Sequence, residues 1–331
     1  MRRREFIAGI GGTVAAPVLW PVPTQAQQAA RMRRVGLMLS GLPADDREAQ
    51  ARITAFVQGL QERGWTDGRN VRIDYRFGLC DPDRQRKYAT ELVMLAPDVV
   101  LAGGNGALAA FQQVTSTLPI VFAHVVDPVG LGYVATLARP GGNATGFMQV
   151  EFSLSVKWLE LLKQIAPGVT RAVVVRNPGT AYEVSQFAAI QAVAPSLRME
   201  VTPVGREADE IERGVTVFAR EPKGGLIVTG QFPQIQPDHI IALAARHRLP
   251  AVYPFRGFVT AGGLISFGND QAEPYRLAAG YVDRILKGEK PADLPVQAPT
   301  KFETIINLKT AKALGLDVAP DVLVRAGEVI E

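Results

Sequence analysis

The 331-residue chain is poor in the side chains that most often announce a reaction. A single cysteine, Cys80, rules out an intrachain disulfide framework in any compartment. It is read as a half-buried small residue rather than as a nucleophile. Three histidines, His124, His239 and His247, lack metal-type spacing, so neither a zinc site nor any other metal is expected. No serine elbow and no nucleophile with a base partner can be read from the sequence. Charge of one sign is also scarce: the net charge is +4. Setting aside Arg2, Arg3 and Arg4 from 36 basic residues and Glu5 from 32 acidic ones leaves 33 against 31. The rest of the chain is thus nearly neutral, with no basic run beyond residues 31–34, so nucleic acid is not an expected partner. Hydrophobic residues, at 47%, are plentiful enough to fill the cores of two ordinary domains.

What is present begins at the N-terminus. Arg2, Arg3 and Arg4 precede a weakly apolar, Gly- and Ala-rich stretch over 6–19, and Thr24-Gln25-Ala26 then offers small residues at a cleavage zone. The pattern predicts an export signal over 1–26, cleaved after Ala26, and a periplasmic mature protein with no membrane insertion after processing. The apolar stretch is too short and too glycine-rich for a good membrane-spanning helix. Arg3-Arg4-Glu5-Phe6-Ile7 matches a twin-arginine signal, though the ordinary Sec route stays open. No cysteine near the cleavage zone offers a lipid anchor.

Beyond the signal, short apolar runs alternate with amphipathic stretches. Strands are expected over 34–39, 70–77, 98–102 and 119–123, with helices over 46–63, 83–95 and 107–114 between and after them. The rhythm restarts after a helix over 153–165: strands over 171–175, 198–203, 225–228 and 263–267, helices over 182–194, 207–220, 237–247 and 274–287. Alternation of this kind demands a mostly parallel sheet covered on both faces. Written twice, it predicts an α/β protein of two doubly wound lobes with a cleft between them. Ligands of such sheets bind at the carboxyl ends of the strands, where strand order reverses.

The loops after the strands are therefore the candidate site. Ser40 precedes Gly41 after the first strand and reads either as a ligand hydrogen-bonder or as a turn residue. Gly103-Gly104-Asn105-Gly106 opens a helix, where free N–H groups suit an anion such as a carboxylate. Gly104 to Ala109 also matches G-x-G-x-x-A, with Asp127 as a possible ribose partner, which keeps an exported NAD(P)-dependent oxidoreductase as the alternative function. The match follows a third strand rather than a first, and a packing role for the glycines is a further reading. His124 ends the fourth strand and could face the cleft. Asp127, before Pro128, reads as a helix cap or as the partner of a ligand amine. In the second half, Asn177 and Gln231 are neutral amides suited to orienting a ligand, Tyr182 and Phe232 are possible walls, and Asp270 either pairs with an ammonium or caps the late helix. Hydrogen-bonders and aromatics without an acid–base pair describe a binder with no cofactor rather than an enzyme.

Several longer stretches sharpen this. Asp127-Pro128-Val129-Gly130, the run ARPGGNATG over 138–146, LPAVYPFR over 249–256, and PTKFE over 299–303 followed by INLKTAKALGL over 306–316 closely resemble the family of ABC-transporter substrate-binding proteins. That family includes tryptophan-type amino-acid binders, and the likeness covers nearly the whole mature chain. The resemblance implies a type I periplasmic-binding fold, three hinge crossings, closure around a small organic ligand and an ABC permease as partner. On that reading residues 33–147 plus about 268–290 form the N-terminal lobe. Residues 148–262 plus 291–331 form the C-terminal lobe and hinge, with crossings at 143–147 and 262–268. The chain departs from relatives at Asn105-Gly106, where many carry Thr-Pro, at His124, and at Gly257, where Glu is frequent. These departures argue against copying an aromatic amino acid as the ligand.

Overall fold

The computed structural model describes residues 32–149, 154–179, 181–230 and 237–331. The export segment expected over 1–26 lies outside them, as do Gln231 and Phe232.

Sequence patterning explains the first lobe directly. Strands β1 (Arg33–Leu39), β2 (Val71–Phe77), β3 (Val99–Gly103), β4 (Ile120–Val125) and β5 (Ala144–Met148) form one sheet in the order β2-β1-β3-β4-β5. Every pairing in it is parallel. β3 and β4 are buried at every position, as strands covered on both faces must be. Leu37, Leu39 and Leu101 point to one side, toward helix α1 (Arg47–Gln61). Met38, Val100 and Ala102 point to the other, toward α2 (Pro82–Met94) and α3 (Asn105–Val114). Asp46 caps α1 by accepting from the N–H groups of Glu48 and Ala49, at 2.8 and 3.0 Å.

The second lobe starts with α4 (Leu154–Ile165) and repeats the winding through β6 (Arg171–Val175), α5 (Ala181–Val193), β7 (Glu200–Val204), α6 (Ala208–Phe218), β8 (Gly224–Val228), α7 (Pro237–Arg246), β9 (Ala251–Tyr253), α8 (Arg256–Thr260) and β10 (Ile265–Gly268). The chain then returns to the first lobe as α9 (Glu273–Leu286), whose Tyr275, Ala278 and Val282 share a core with Phe56 and Leu60 of α1. It finishes in the second lobe with β11 (Glu303–Asn307), α10 (Leu308–Ala313), α11 (Pro320–Val324) and β12 (Glu328–Ile330). The seven-stranded order is β12-β11-β10-β9-β8-β6-β7, parallel except where β10 meets β11. β7 is an edge strand and carries Pro203, which a central strand would not tolerate.

Both sheets reverse their winding between the first and third strands of their lobe. The loops after β1 and β3, and those after β6 and β8, therefore face one cleft.

The crossings differ from those expected. Residues 144–148 do not cross; they are the fifth strand of the first sheet, paired with β4. Residues 265–268 are β10 inside the second sheet, and the link to α9 is 269–272. Residues 294–297 belong with the first lobe rather than the second. Leu294 and Val296 lie in its cores, and Gln297 exchanges backbone hydrogen bonds with Gly146 and Met148 at 2.9 and 2.8 Å. The physical reason is common to all three. Buried backbone must keep its hydrogen bonds, so the chain stays in a sheet until the last residue before it crosses.

Candidate functional site

The cleft between the lobes encloses about 1250 Å³. On the first-lobe side, the turn after β3 is held from two directions. Ser40 donates through Oγ to the Gly103 carbonyl at 2.7 Å. Asn105 clasps the backbone of Val126: its Nδ2 donates to the Val126 carbonyl and its Oδ1 accepts from the Val126 N–H, both at 2.9 Å. The amide expected to meet the ligand is instead spent joining two loops. What Asn105 and Gly106 offer the cleft is the backbone at the start of α3, whose first-turn N–H groups have no partner within the helix. The glycines are crowded by neighbouring side chains. A Cβ at Gly104 would strike Ser40 Oγ, and one at Gly106 would strike the Gln85 carboxamide. Gly104 is a packing residue and does not line the cleft, whereas Gly106 does.

Arg52, unremarked in the sequence, projects from α1 into the same wall and is 5% exposed. Its Nη2 donates to Glu48 and, at 3.4 Å, to Gln271, and the guanidinium lies over the Tyr275 ring at 5.7 Å. His124 stands behind this wall rather than in the cleft. It has φ 59° and is 5% exposed, and its ring meets that of Tyr275 edge-on at 5.2 Å. Burial above all, and then the charge of Arg52, hold its pKa well below 6.5. Asp127 lies at the cleft mouth, but caps a turn rather than a helix, accepting from Gly130 N–H at 3.0 Å. Asp270, on the second crossing, faces the cleft and accepts from Ala272 N–H at 2.8 Å, at the entrance to α9.

Across the cleft, Tyr182 lines the wall and its hydroxyl accepts from Gln186 at 2.7 Å. Asn177 does not reach the cleft. It shapes the β6–α5 loop, its N–H donating to Glu183 Oε2 at 2.7 Å and its Oδ1 accepting from Gly179 N–H at 2.9 Å. Glu183 itself does line the cleft, with Thr229, Trp158 and Phe255. Trp158 Nε1 donates to the Phe267 carbonyl at 2.7 Å, so one aromatic joins the core, the end of β10 and the cleft wall.

Five of the nine expected residues thus reach the cleft: Ser40, Asn105, Asp127, Tyr182 and Asp270. Gly104, His124 and Asn177 lie behind it, and Gln231 is outside the described residues. Arg52 and Glu183 were missed, although Arg52 carries a signal. It falls in the buried stripe Ala49, Arg52, Phe56, Leu60 of an amphipathic helix, where a charge needs a reason. Among the described residues no three or more His, Cys, Asp or Glu side chains group to hold a metal, and no helix is long and apolar enough to cross a membrane.

This architecture and sequence are shared. The family model for ABC transporter substrate-binding proteins matches residues 45–330. The chain belongs to that family. A tyrosine-binding protein of Clostridioides difficile is 26% identical over 269 residues, 79% of this chain and 75% of the relative. A conserved domain protein of Vibrio cholerae superposes with a TM-score of 0.80 at 26% identity, over 90% of this chain and 100% of that one. A Streptococcus pneumoniae domain solved in complex with L-Trp also gives 0.80, at 25% identity, over 90% and 99%. The family's two-lobed periplasmic-binding fold accounts for the pairing of switch points found here. Membership also places the chain among proteins that carry solutes rather than convert them.

Proposed function

We propose that this substrate-binding protein works in the periplasm. There it would close its lobes around a small organic solute, an amino acid, carboxylate or similar, and deliver it to an ABC importer's permease without catalysis. The observation that carries the reading is the facing of both switch points into one cleft, supplied with hydrogen-bonders and aromatic walls. The Arg-rich, Ala-Gln-terminated start of the chain supports export, and the tyrosine-binding relative and the L-Trp complex support amino acids as the first solutes to try.

Cys80 makes the test simple, because it is the only cysteine and lies exposed at the cleft. Residues 27–331 labelled there with an environment-sensitive dye are titrated with amino acids, aromatic acids, dicarboxylates, purines and NAD. Closure on one solute class changes the emission. In unlabelled protein it raises the melting temperature by the equivalent of about 2.7 kcal/mol at a hundredfold excess over Kd. A response to NAD alone, or turnover of any solute, overturns the reading.

A further inference from the structure

We propose that the solute carries a positively charged nitrogen and that Glu183 of the second lobe receives it; this rests on the solute-binding reading above. Two carboxylates are about nine-tenths buried among the described residues, Asp283 and Glu183. Asp283 is fully provided for: Lys287 lies at 2.8 Å and Trp65 Nε1 donates at 2.8 Å. Glu183 is not. Its Oε2 accepts from Asn177 N–H at 2.7 Å and from Thr229 Oγ1 at 3.0 Å. Its Oε1 has no hydrogen-bond partner among the described residues and lies beside Gly230, where the absence of a side chain leaves it open to the cleft. No Lys, Arg or His side chain of the described residues comes within ion-pair distance of it. Arg206 and Arg176 act only from farther away, and Arg176 is stacked on Phe187 at 5.1 Å. Buried charges are normally paired, so an unpaired one opening on a cleft points to a partner that arrives with the ligand.

The charge around the cleft agrees. Its two cations, Arg52 and Arg256, are tied to Glu48 and Glu328. Asp46, Asp127, Asp270 and Glu303 face it without an ion pair except through distant groups. A dicarboxylate would meet net repulsion, whereas an amine or a zwitterion would not. Burial also pushes the Glu183 carboxyl above its usual range, the condition that a bound cation relieves.

The test compares matched trios on the mature chain by calorimetry: L-tyrosine, tyramine and 3-(4-hydroxyphenyl)propionate; L-tryptophan, tryptamine and indole-3-propionate; L-leucine, 3-methylbutylamine and 4-methylpentanoate. The expected result is that the tightest binder in any responding trio carries nitrogen and that its desamino acid binds at least a hundredfold more weakly. Glu183→Gln then weakens the nitrogen-bearing ligand by tenfold or more and leaves the desamino acid unchanged. Equal binding of amino and desamino partners overturns the proposal while leaving solute binding intact, and this comparison needs no variant. If no trio responds, the solute released by denaturing protein purified from the periplasm is identified by mass spectrometry. A solute without a basic nitrogen overturns the proposal, one with it supports the proposal, and no solute at all overturns both readings.

Discussion

The two walls of the cleft are built from the same winding and finished differently. In the first lobe the polar groups of the switch-point loops are engaged, Ser40 with Gly103 and Asn105 with Val126, and Arg52 is paired with Glu48 and Gln271. The Arg52 Nε and, behind the wall, the buried His124 Nε2 and Tyr275 hydroxyl have no hydrogen-bond partner among the described residues. The second lobe keeps a buried carboxylate without a counter-ion and an arginine, Arg176, whose buried Nε and Nη1 have no hydrogen-bond partner. The contrast shows how one fold can divide labour. One wall presents backbone N–H groups held by side-chain hydrogen bonds, and the facing wall carries a buried carboxylate whose charge, on the proposal above, a bound solute would meet.

The largest expected effects come from breaking what the two lobes share. Each sheet has, in its strand nearest a link between the lobes, a glycine with no room for a side chain: Gly146 in β5 and Gly268 at the end of β10. A Cβ at Gly146 would collide with the backbone of Phe122, and one at Gly268 with the carbonyl of Pro254. Backbone cannot swing aside as a side chain can, so Gly268→Ala should cost about 3 kcal/mol, a fall in melting temperature of roughly 6 °C. Gly146→Ala should cost as much. A loss confined to one variant would show that the two strands are not equally rigid.

Next in size is the first wall alone. Asn105→Ala removes both hydrogen bonds to Val126 and leaves an N–H and a carbonyl without their partners, at about 2 kcal/mol. Solute affinity should fall with stability, because the start of α3 is no longer held. An unchanged melting temperature with lower affinity would mean that Asn105 meets the solute after all.

That example also marks how far the sequence can be read. Alternating apolar runs disclosed both sheets and most helices, because burial on two faces leaves an unmistakable hydrophobic signature in β3, β4 and β8. Residues of the loops chosen from the sequence do line the cleft, since the switch-point rule depends only on strand order. Which atoms of those loops face the cleft was not legible. Asn105 and His124 lie on the right segments, but hydrogen bonding turns the first toward Val126 and packing against Tyr275 puts the second behind Arg52. The strand at 251–253 is three residues long, and β11 pairs antiparallel against the parallel rhythm; neither was read from the sequence.

A smaller effect, opposite in sign, probes the second wall. Glu183 has its pKa raised by burial, so without solute its charged form opposes folding. The neutral form is favoured below the unfolded value near 4.5, and that advantage disappears as pH rises through the raised folded pKa. Glu183→Gln should therefore melt about 2 °C higher than wild type at neutral pH and lose that advantage below pH 4.5. Stability gained where binding is lost would identify the carboxylate as strained for function. A lower melting temperature would mean that its hydrogen bonds to Asn177 and Thr229 matter more than its charge.

The smallest effect is visible only in acid and belongs to the first wall. His124 faces Arg52 from α1, Tyr275 from α9 and the backbone of Gln271 from the second crossing, and its depressed pKa keeps it neutral when folded. Once the pH falls below about 6.5 the unfolded chain takes up a proton that the folded one refuses. Stability present above that value is then lost, by up to about 1.4 kcal/mol per pH unit, until the folded pKa is reached. Asn tolerates the positive φ at this position, so His124→Asn keeps the backbone while removing the titration. Melting curves between pH 7 and 5 should fall less steeply for the variant. Parallel curves would place the acid sensitivity elsewhere and leave the first wall, unlike the second, without a buried titrating group that matters.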